Sequence, residues 1–325
     1  MLAYLARRIA GAVPIILVIT VITFLVVRMA PGDPTKMFIS PNTPPEDREK
    51  IRRNLGLDRP LHVQYMIWLR NFVTKGDLGY SLVNGRPVLD SIMERVPATL
   101  ALMGVSYFLS ILIALPIGIY SALRPYSFFD YALTLLSFLG LSMPPFWLAL
   151  MVIWLFSLVI PIFPPMGMGI LAEPSSWWEA LVDLGWHLVL PVFVLTVRNL
   201  ASWSRYIRSS LIEVSGQDYV RTAWSKGLGE LSVLSVHSLR NSLLPFITVV
   251  ALSLPEILAG AFIIEQIFAW PGMGRLGMEA VFHRDYTLLM GDILISGILV
   301  ILSNMAADVC MAIADPRIRT AGRAA

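Results

Sequence analysis

The chain has 325 residues, of which 56 % are hydrophobic and only 14 % are charged. Soluble domains carry roughly 25 % charged residues, so this composition excludes an ordinary soluble protein and indicates a membrane protein. The net charge of +3 is too small in so apolar a chain to indicate binding to nucleic acid. The single cysteine, Cys310, excludes an intramolecular disulfide and a cysteine-based metal site. The four histidines form no ligand pair at helical spacing, so we expect no metal.

Six apolar runs predict the helices that cross the membrane, whose hydrocarbon core is about 30 Å thick. They are residues 9–27, 96–123, 131–160, 184–197, 241–268 and 288–313. Pro144 and Pro145 are expected to break or kink the third run. The fourth run reaches span length only if it continues to Trp203. We therefore predict an all-α membrane protein with six transmembrane helices.

The distribution of arginine and lysine predicts that both termini lie in the cytoplasm. Residues 161–184 contain neither, whereas residues 198–240 contain six and both terminal tails contain several. The basic segment 31–94 is then outside, because loops longer than about 60 residues cross regardless of charge. Arg275 and Arg284, in the last outer loop, run against the pattern.

The outer segment predicts two helices of its own. Residues 45–55 place acids before bases and are followed by Gly56, a helix-stop residue. A second helix is predicted over residues 62–74, with an apolar face that packs on its own loop, on the spans or on a partner. That face consists of Val63, Met66, Ile67, Leu69 and Phe72.

The inner loop, residues 206–241, predicts a short helix in water. Ser215 and Gly216 break the preceding helix, residues 218–226 form the short helix, and Gly227 and Gly229 end it. A short helix between two breaks projects from the protein and suits a partner's groove. The alternative is a solvated connection.

The same loop resembles a known motif. The letters TAWSKG at 222–227, followed by Leu239, are similar to the cytoplasmic "EAA" loop of ABC importer permeases. Thr222 replaces the glutamate of that motif and Arg240 replaces its proline. The longer wording from Tyr219 to Leu228 and from His237 to Leu243 is closer to the first permease of dipeptide, oligopeptide and nickel importers. Further segments resemble that subfamily in the same order along the chain: 31–34, 56–61, 76–81, 97–100, 265–274, 284–286 and 315–319.

The resemblance implies an architecture and a set of partners. Residues 1–30 would be the tail and first helix, 31–95 the extracytoplasmic insertion, and 96–325 the transporter core with its coupling loop at 206–241. The implied partners are a second related permease, two ATPase subunits that hold ATP and Mg, an extracytoplasmic binding protein and a peptide-like substrate. The implied location is the cytoplasmic membrane of a bacterium or archaeon.

We expect this chain itself to hold no cofactor and to catalyse no reaction. None of its four lysines is followed by Ser or Thr, so it lacks a phosphate-binding P-loop. The resemblance leaves the substrate open among dipeptides, oligopeptides, nickel chelates, glutathione and sugars.

Three groups of residues are predicted to carry the function. The residues predicted to couple to the ATPase are Tyr219, Arg221, Thr222, Ala223, Lys226, Gly227 and Leu228. Those predicted to lie in the translocation path or permease interface are Pro144, Pro145, Pro255 and Glu256. Those predicted as outer structural or gate residues are Glu265, Pro271, Gly272 and Gly274.

Two other function classes remain open at this point. Because a charge inside the membrane is costly, Glu256 is also a candidate ion or proton relay of a gradient-driven secondary transporter. A structural membrane subunit without a transport role is the third class.

Overall fold

The computed structural model describes residues 2–29, 58–169 and 176–314. The predicted helix at 45–55 and the signature segments 31–34 and 315–319 lie outside the described residues. Twelve α-helices occur in the described ranges. They are α1 Leu2–Met29, α2 Leu61–Lys75, α3 Val88–Met93, α4 Val96–Leu123, α5 Phe128–Ser142, α6 Pro145–Ile153, α7 Trp177–Ser215, α8 Asp218–Ser225, α9 Glu230–Ser232, α10 Arg240–Ile267, α11 Met273–Phe282 and α12 Tyr286–Ala314.

The helical character of the chain is confirmed, and the number of membrane crossings is fixed only in part. Four stretches are long and apolar enough to cross: Val88–Leu123, Trp177–Ser215, Glu230–Pro255 and Tyr286–Met311. The bent pair α5 and α6 is a fifth if it counts as one span. The apolar part of α1, Ala10–Val26, is shorter. Six spans with cytoplasmic termini therefore stay a prediction.

The third predicted span is broken where the sequence places two prolines. Helix α5 ends at Ser142, Met143 is extended (φ −79°, ψ 127°), and α6 begins at Pro145. The two helices meet at 103°. Pro144 disfavours a helical conformation for the residue before it, so the predicted break is confirmed.

The fourth span is much longer than its apolar run. Helix α7 has 39 residues and begins at an N-cap in which the Ser176 hydroxyl accepts a hydrogen bond from the Glu179 N–H. At 1.5 Å per residue it is about 58 Å long, which exceeds the hydrocarbon core. The apolar run covers only the middle of this helix, because charged residues such as Glu179, Asp183, Arg205 and Arg208 stand toward its two ends.

The chain divides into two compact units. The first consists of Met1–Thr99 and Pro271–Ile301, and the second of Leu100–Trp270 and Leu302–Ala325. In the first unit, Val88 and Ile92 of α3 are buried against Leu276 of α11 and Leu288 of α12. In the second, α7 contributes the buried Trp203 and Ile207, which lie with Ala114 of α4 and Phe246 of α10.

Helix α2 confirms the prediction at 62–74, and its predicted packed face is confirmed in part. Phe72 packs against the buried cluster that contains Val88 and Ile92, whereas Met66 and Ile67, expected on the same face, are exposed. Tyr65 and Trp68, which were not expected on that face, also pack, since the Tyr65 ring lies 5.5 Å from that of Phe24 in α1 and all three belong to one cluster.

Six tryptophans near the ends of the predicted spans fall into two groups. Trp147, Trp177, Trp178 and Trp186 are exposed, as interfacial anchors would be. Trp203 and Trp270 are buried and belong to the core.

Candidate coupling helix and membrane cavity

Helix α8 forms where the loop was predicted to fold. Gly216 ends α7, its N–H donating to the Glu213 carbonyl (3.2 Å). Asp218 then stands in the first turn of α8, where its charge suits the helix dipole. Gly227 ends the helix with φ +75°, and its N–H donates to the Trp224 carbonyl (2.9 Å). The predicted short helix and its glycine stop are therefore confirmed.

One side of α8 is buried and the other is exposed. Val220 and Ala223, three residues apart, are 1 % and 4 % exposed and lie against Val233 in the π-helical segment Val233–Leu239. The exposed residues of α8 and its C-terminal turn include Tyr219, Arg221, Thr222, Trp224, Lys226 and Leu228, and also Asp218, Ser225 and Gly227. Helix α8 is thus held by small apolar residues and exposes a face of aromatic and charged side chains.

The polar groups of α8 are bonded mainly within the helix. The Thr222 hydroxyl donates to the Asp218 carbonyl (2.9 Å), and the Ser225 hydroxyl donates to the Arg221 carbonyl (3.0 Å). The ion pair between Arg221 and Asp218 is 3.5 Å long and fully in water, so it contributes little stability. Ala223, one of the seven predicted coupling residues, is buried and packs within the chain; the coupling role of all seven stays a prediction.

A buried ion pair that sequence reasoning missed holds the helix that leads into α8. Arg208 of α7 donates from Nε and Nη2 to the two carboxylate oxygens of Asp130, at 2.7 Å each. Asp130 also accepts from the Tyr126 N–H (2.8 Å) and from the Ser121 hydroxyl. A buried carboxylate needs such partners. The available signal was that Asp130 is the only acidic residue between positions 96 and 160.

The break between α5 and α6 opens a cavity. This cavity of about 340 Å³ is lined by residues 140–145, Leu148, Val194 and Arg198. The predicted path residues Pro144 and Pro145 therefore both line this cavity.

A smaller cavity of about 70 Å³ shares Pro145, Val194 and Arg198 with the first. Its polar lining is Ser106, Tyr107, Asn199 and Ser253. Arg198 lies in both walls.

The other two predicted path residues, Pro255 and Glu256, lie in α10. Pro255 is partly buried inside α10, which continues through it and through Pro245. The side chain of Glu256 lies outside what the structure describes. Its roles as a path residue or ion relay stay predictions.

The predicted outer residues lie in two different environments. Glu265 is fully buried, and its carbonyl accepts the N–H of the equally buried Trp270 (2.8 Å). Gly272 is the extended residue before α11, and the next N–H, that of Met273, donates to the Thr99 hydroxyl (2.8 Å). Pro271 precedes it, and Gly274 lies in the first turn of α11. The Glu265 carbonyl thus closes the turn at the end of α10; the structural or gating role of the four residues stays a prediction.

Asp285 links two of the segments that resemble the permease subfamily, residues 76–81 and 284–286. It is fully buried and accepts from the Ser81 hydroxyl (2.5 Å), the Leu82 N–H (3.1 Å) and the Leu288 N–H (3.1 Å). One carboxylate thereby fixes the loop at 76–81 to the start of α12. The sequence showed both strings but not that they meet.

Arg86 and Glu94 form an exposed ion pair beside this loop. The hydrogen bond and charge of Glu94 raise the pKa of the Arg86 guanidinium above its ordinary value, so Arg86 stays charged at any physiological pH.

In the described ranges, no group of three or more His, Cys, Asp or Glu side chains could hold a metal ion.

Comparison with known proteins matches nearly the whole chain to membrane components of transport systems. Residues 114–320 match the family described as "Binding-protein-dependent transport system inner membrane component", and residues 1–103 match the N-terminal domain of such membrane components. The oligopeptide transport system permease protein AppB of Bacillus subtilis is 43 % identical over 98 % of this chain and 99 % of its own. The dipeptide transport system permease protein DppB of Alkalihalophilus pseudofirmus is 34 % identical over 98 % of this chain and 100 % of its own.

A solved structure shares the fold. The MetNI methionine ABC transporter in an inward-facing conformation has a TM-score of 0.54 at 18 % identity, covering 70 % of this chain and 97 % of the matched chain. With two family models spanning nearly all of the sequence and full-length relatives at 34–43 % identity, the chain belongs to the inner membrane components of binding-protein-dependent transport systems, the ABC importer permeases that its signature residues resemble.

Proposed function

We propose that this chain is one of two permease subunits of an ATP-driven importer of di- or oligopeptides. It forms half of the translocation path, receives peptide from an extracytoplasmic binding protein and binds an ATPase subunit through α8. The observation that carries this proposal is α8 itself, a helix seated by Val220 and Ala223 that presents Tyr219, Trp224 and Lys226 to a partner. The named functions of the two full-length relatives support peptides as the substrate class.

The geometry supplies a route for mechanical coupling. Helix α7 runs without a break from the cavity at Arg198 to Ser215, two residues before the N-cap of α8. Its inner part is fixed to α4 and α5 through Ile207 and the Arg208–Asp130 pair. Closure of the two ATPase subunits moves α8, and α7 carries that displacement to the cavity wall because a packed helix bends less than a loop.

The chemistry of ATP hydrolysis belongs to the partners in this proposal. ATP and Mg bind to the ATPase subunits, and this chain contributes only the docking face and half of the path. This agrees with the absence of a P-loop from the sequence.

The test is to purify the tagged chain from its native membrane in mild detergent and to measure the mass of the intact complex. We expect one related permease and two ATPase subunits to accompany it, and the reconstituted complex to hydrolyse ATP faster when peptide-loaded binding protein is added. A chain that remains alone after cross-linking in the membrane contradicts the proposal. Peptide uptake driven by a proton gradient would then favour the relay role of Glu256.

A further inference from the structure

Arg198 lies near the middle of the membrane-crossing part of α7. Trp186, an exposed aromatic residue of the kind found at membrane interfaces, stands twelve residues before it. Arg208, fixed to Asp130 beside the connection between α4 and α5, stands ten residues after it. These separations correspond to about 18 Å and 15 Å of helix. In a hydrocarbon core about 30 Å thick, Arg198 is therefore close to mid-depth.

Among the side chains that the structure describes, Arg198 has no ion-pair or hydrogen-bond partner for its guanidinium, although it lines both cavities beside the broken helix. Charged residues at this depth face water or a pathway and mark the route of a substrate. Arg198 differs in this from Arg208, whose charge is fully paired.

The rest of the small cavity is polar in a complementary way. The hydroxyls of Tyr107 and Ser253 both donate to the Val250 carbonyl, so their oxygens remain as acceptors. Asn199 offers an amide that can both donate and accept. The site therefore combines one strong cation with neutral groups that suit a peptide backbone.

We propose that Arg198 binds the α-carboxylate of the peptide in transit, with Asn199, Tyr107 and Ser253 as the neighbouring wall of the same site. This inference rests on the proposed peptide import. A guanidinium presents parallel donors that match a carboxylate and stays charged at every physiological pH. The α-carboxylate is the one anionic group that all linear peptides share, so a single arginine suffices for cargo with any side chains.

The experiment uses the whole complex in proteoliposomes with its binding protein at saturation. Uptake of radiolabelled trialanine is compared with uptake of trialanine amide, which lacks the carboxylate. The variants are Arg198→Gln and Arg198→Lys, and the matched control is Arg205→Gln. Arg205 stands seven residues further along the same helix, over the Phe138 ring and away from both cavities. Any preference of the binding protein itself is the same in every sample.

We expect Arg198→Gln to lower trialanine uptake about tenfold, as for the loss of a charged hydrogen-bond partner, and to leave uptake of the amide within about twofold of wild type. Arg198→Lys should fall between, and Arg205→Gln should behave as wild type. An unchanged ratio of the two peptides in Arg198→Gln overturns the proposal, as does an equal loss of both. Failure of both Arg198 variants to assemble also overturns it, because Arg198 would then serve an ion pair with the second permease.

Failure of the underlying function has a different signature. Wild-type vesicles that import neither peptide with ATP, and whose ATPase does not respond to loaded binding protein, reject peptide import and this site together. Normal wild-type import with an unaltered peptide ratio in the Arg198 variants rejects the site alone.

Discussion

Asp130 shows how one residue can decide the stability of several helices. It receives hydrogen bonds from α7, from the connection after α4 and from Ser121 within α4. It is 2 % exposed, so its charge depends on Arg208 for compensation. Replacing one partner of such a pair destabilises a protein strongly, whereas replacing both partners destabilises it much less.

Asp130→Asn should therefore destabilise the protein by about 3 kcal/mol, because it leaves Arg208 without its counter-charge. The double variant Asp130→Asn with Arg208→Gln should lose less than the sum of the two single variants. The measurement is the unfolding free energy of the detergent-solubilised chain in a denaturant series, with Arg205→Gln as control. Additive losses would contradict the interpretation of these two residues as one coupled unit.

Helix α8 is held in place by its buried side and ends at a glycine in a left-handed conformation. Gly227 has φ +75°, whereas Gly229 has φ −66° and ψ 152°, and a side chain added at either position would meet no atom within 4 Å. The two glycines thus differ in backbone conformation and not in available space. They form a matched pair for testing the turn.

Gly227→Val should reduce stimulation of the ATPase by loaded binding protein, because a left-handed conformation costs an L-residue about 1–2 kcal/mol and the C-terminal turn of α8 will unwind. Gly229→Val should retain stimulation, since its conformation is open to valine. Both chains should insert and assemble equally. Equal coupling in the two variants, measured in reconstituted vesicles, would show that the turn is not needed.

A substitution at Trp224 tests docking of the ATPase subunit separately from folding of α8. Trp224 is half-exposed and lies on the exposed face of α8, and exposed tryptophans at interfaces are frequent hot spots. Trp224→Ala should weaken binding of the ATPase subunit by about 2 kcal/mol without lowering the thermal stability of the chain. Val220→Gly, on the buried face, should do the reverse and lower stability. Unaltered subunit affinity in Trp224→Ala, measured by titration of the purified ATPase, would exclude this face as the docking surface.

The elements that could be predicted from sequence are those with local causes. The break at Pro144, the stop at Gly227 and the short helix at 218–225 each follow from the conformational limits of one or two residues. The packed face of α2 was predicted only in part. Phe72 packs as expected, but Tyr65, which was not expected there, packs through its ring and bonds through its hydroxyl to Thr20 (2.9 Å). A hydropathy count does not register either contact.

The contacts that could not be predicted are those between distant parts of the sequence. Asp285 bonds to Ser81 across 204 positions, and Arg208 bonds to Asp130 across 78. Both segments of the first pair were visible as signatures, but nothing local says that they meet. Arg198 stands at the end of the apolar run 184–197, and only the structure shows that the helix continues past it to Ser215.

The proposed orientation in the membrane predicts which side chains can be labelled from each side. Cys310 is the only cysteine of the chain and is exposed, so a Cys310→Ser background is needed. In that background, Tyr219→Cys should react with a membrane-impermeant maleimide only in inside-out vesicles. Phe282→Cys, at an exposed position beside the last outer loop, should react only in right-side-out vesicles. Reaction of both from the same side would contradict the predicted topology.

The short lengths of α5 and α6 affect how the chain is inserted into the membrane during its synthesis. Helix α5 has 15 residues and α6 has 9, with six more in the π-helical turn that follows. Each half is about 22 Å long, too short to cross the hydrocarbon core alone. During synthesis, neither α5 nor α6 can therefore be released into the lipid as a transmembrane helix on its own. We expect a chain truncated after residue 160 to leave this segment sensitive to protease, and a chain extended through α7 to protect it, because α7 supplies the buried surface on which both halves lie.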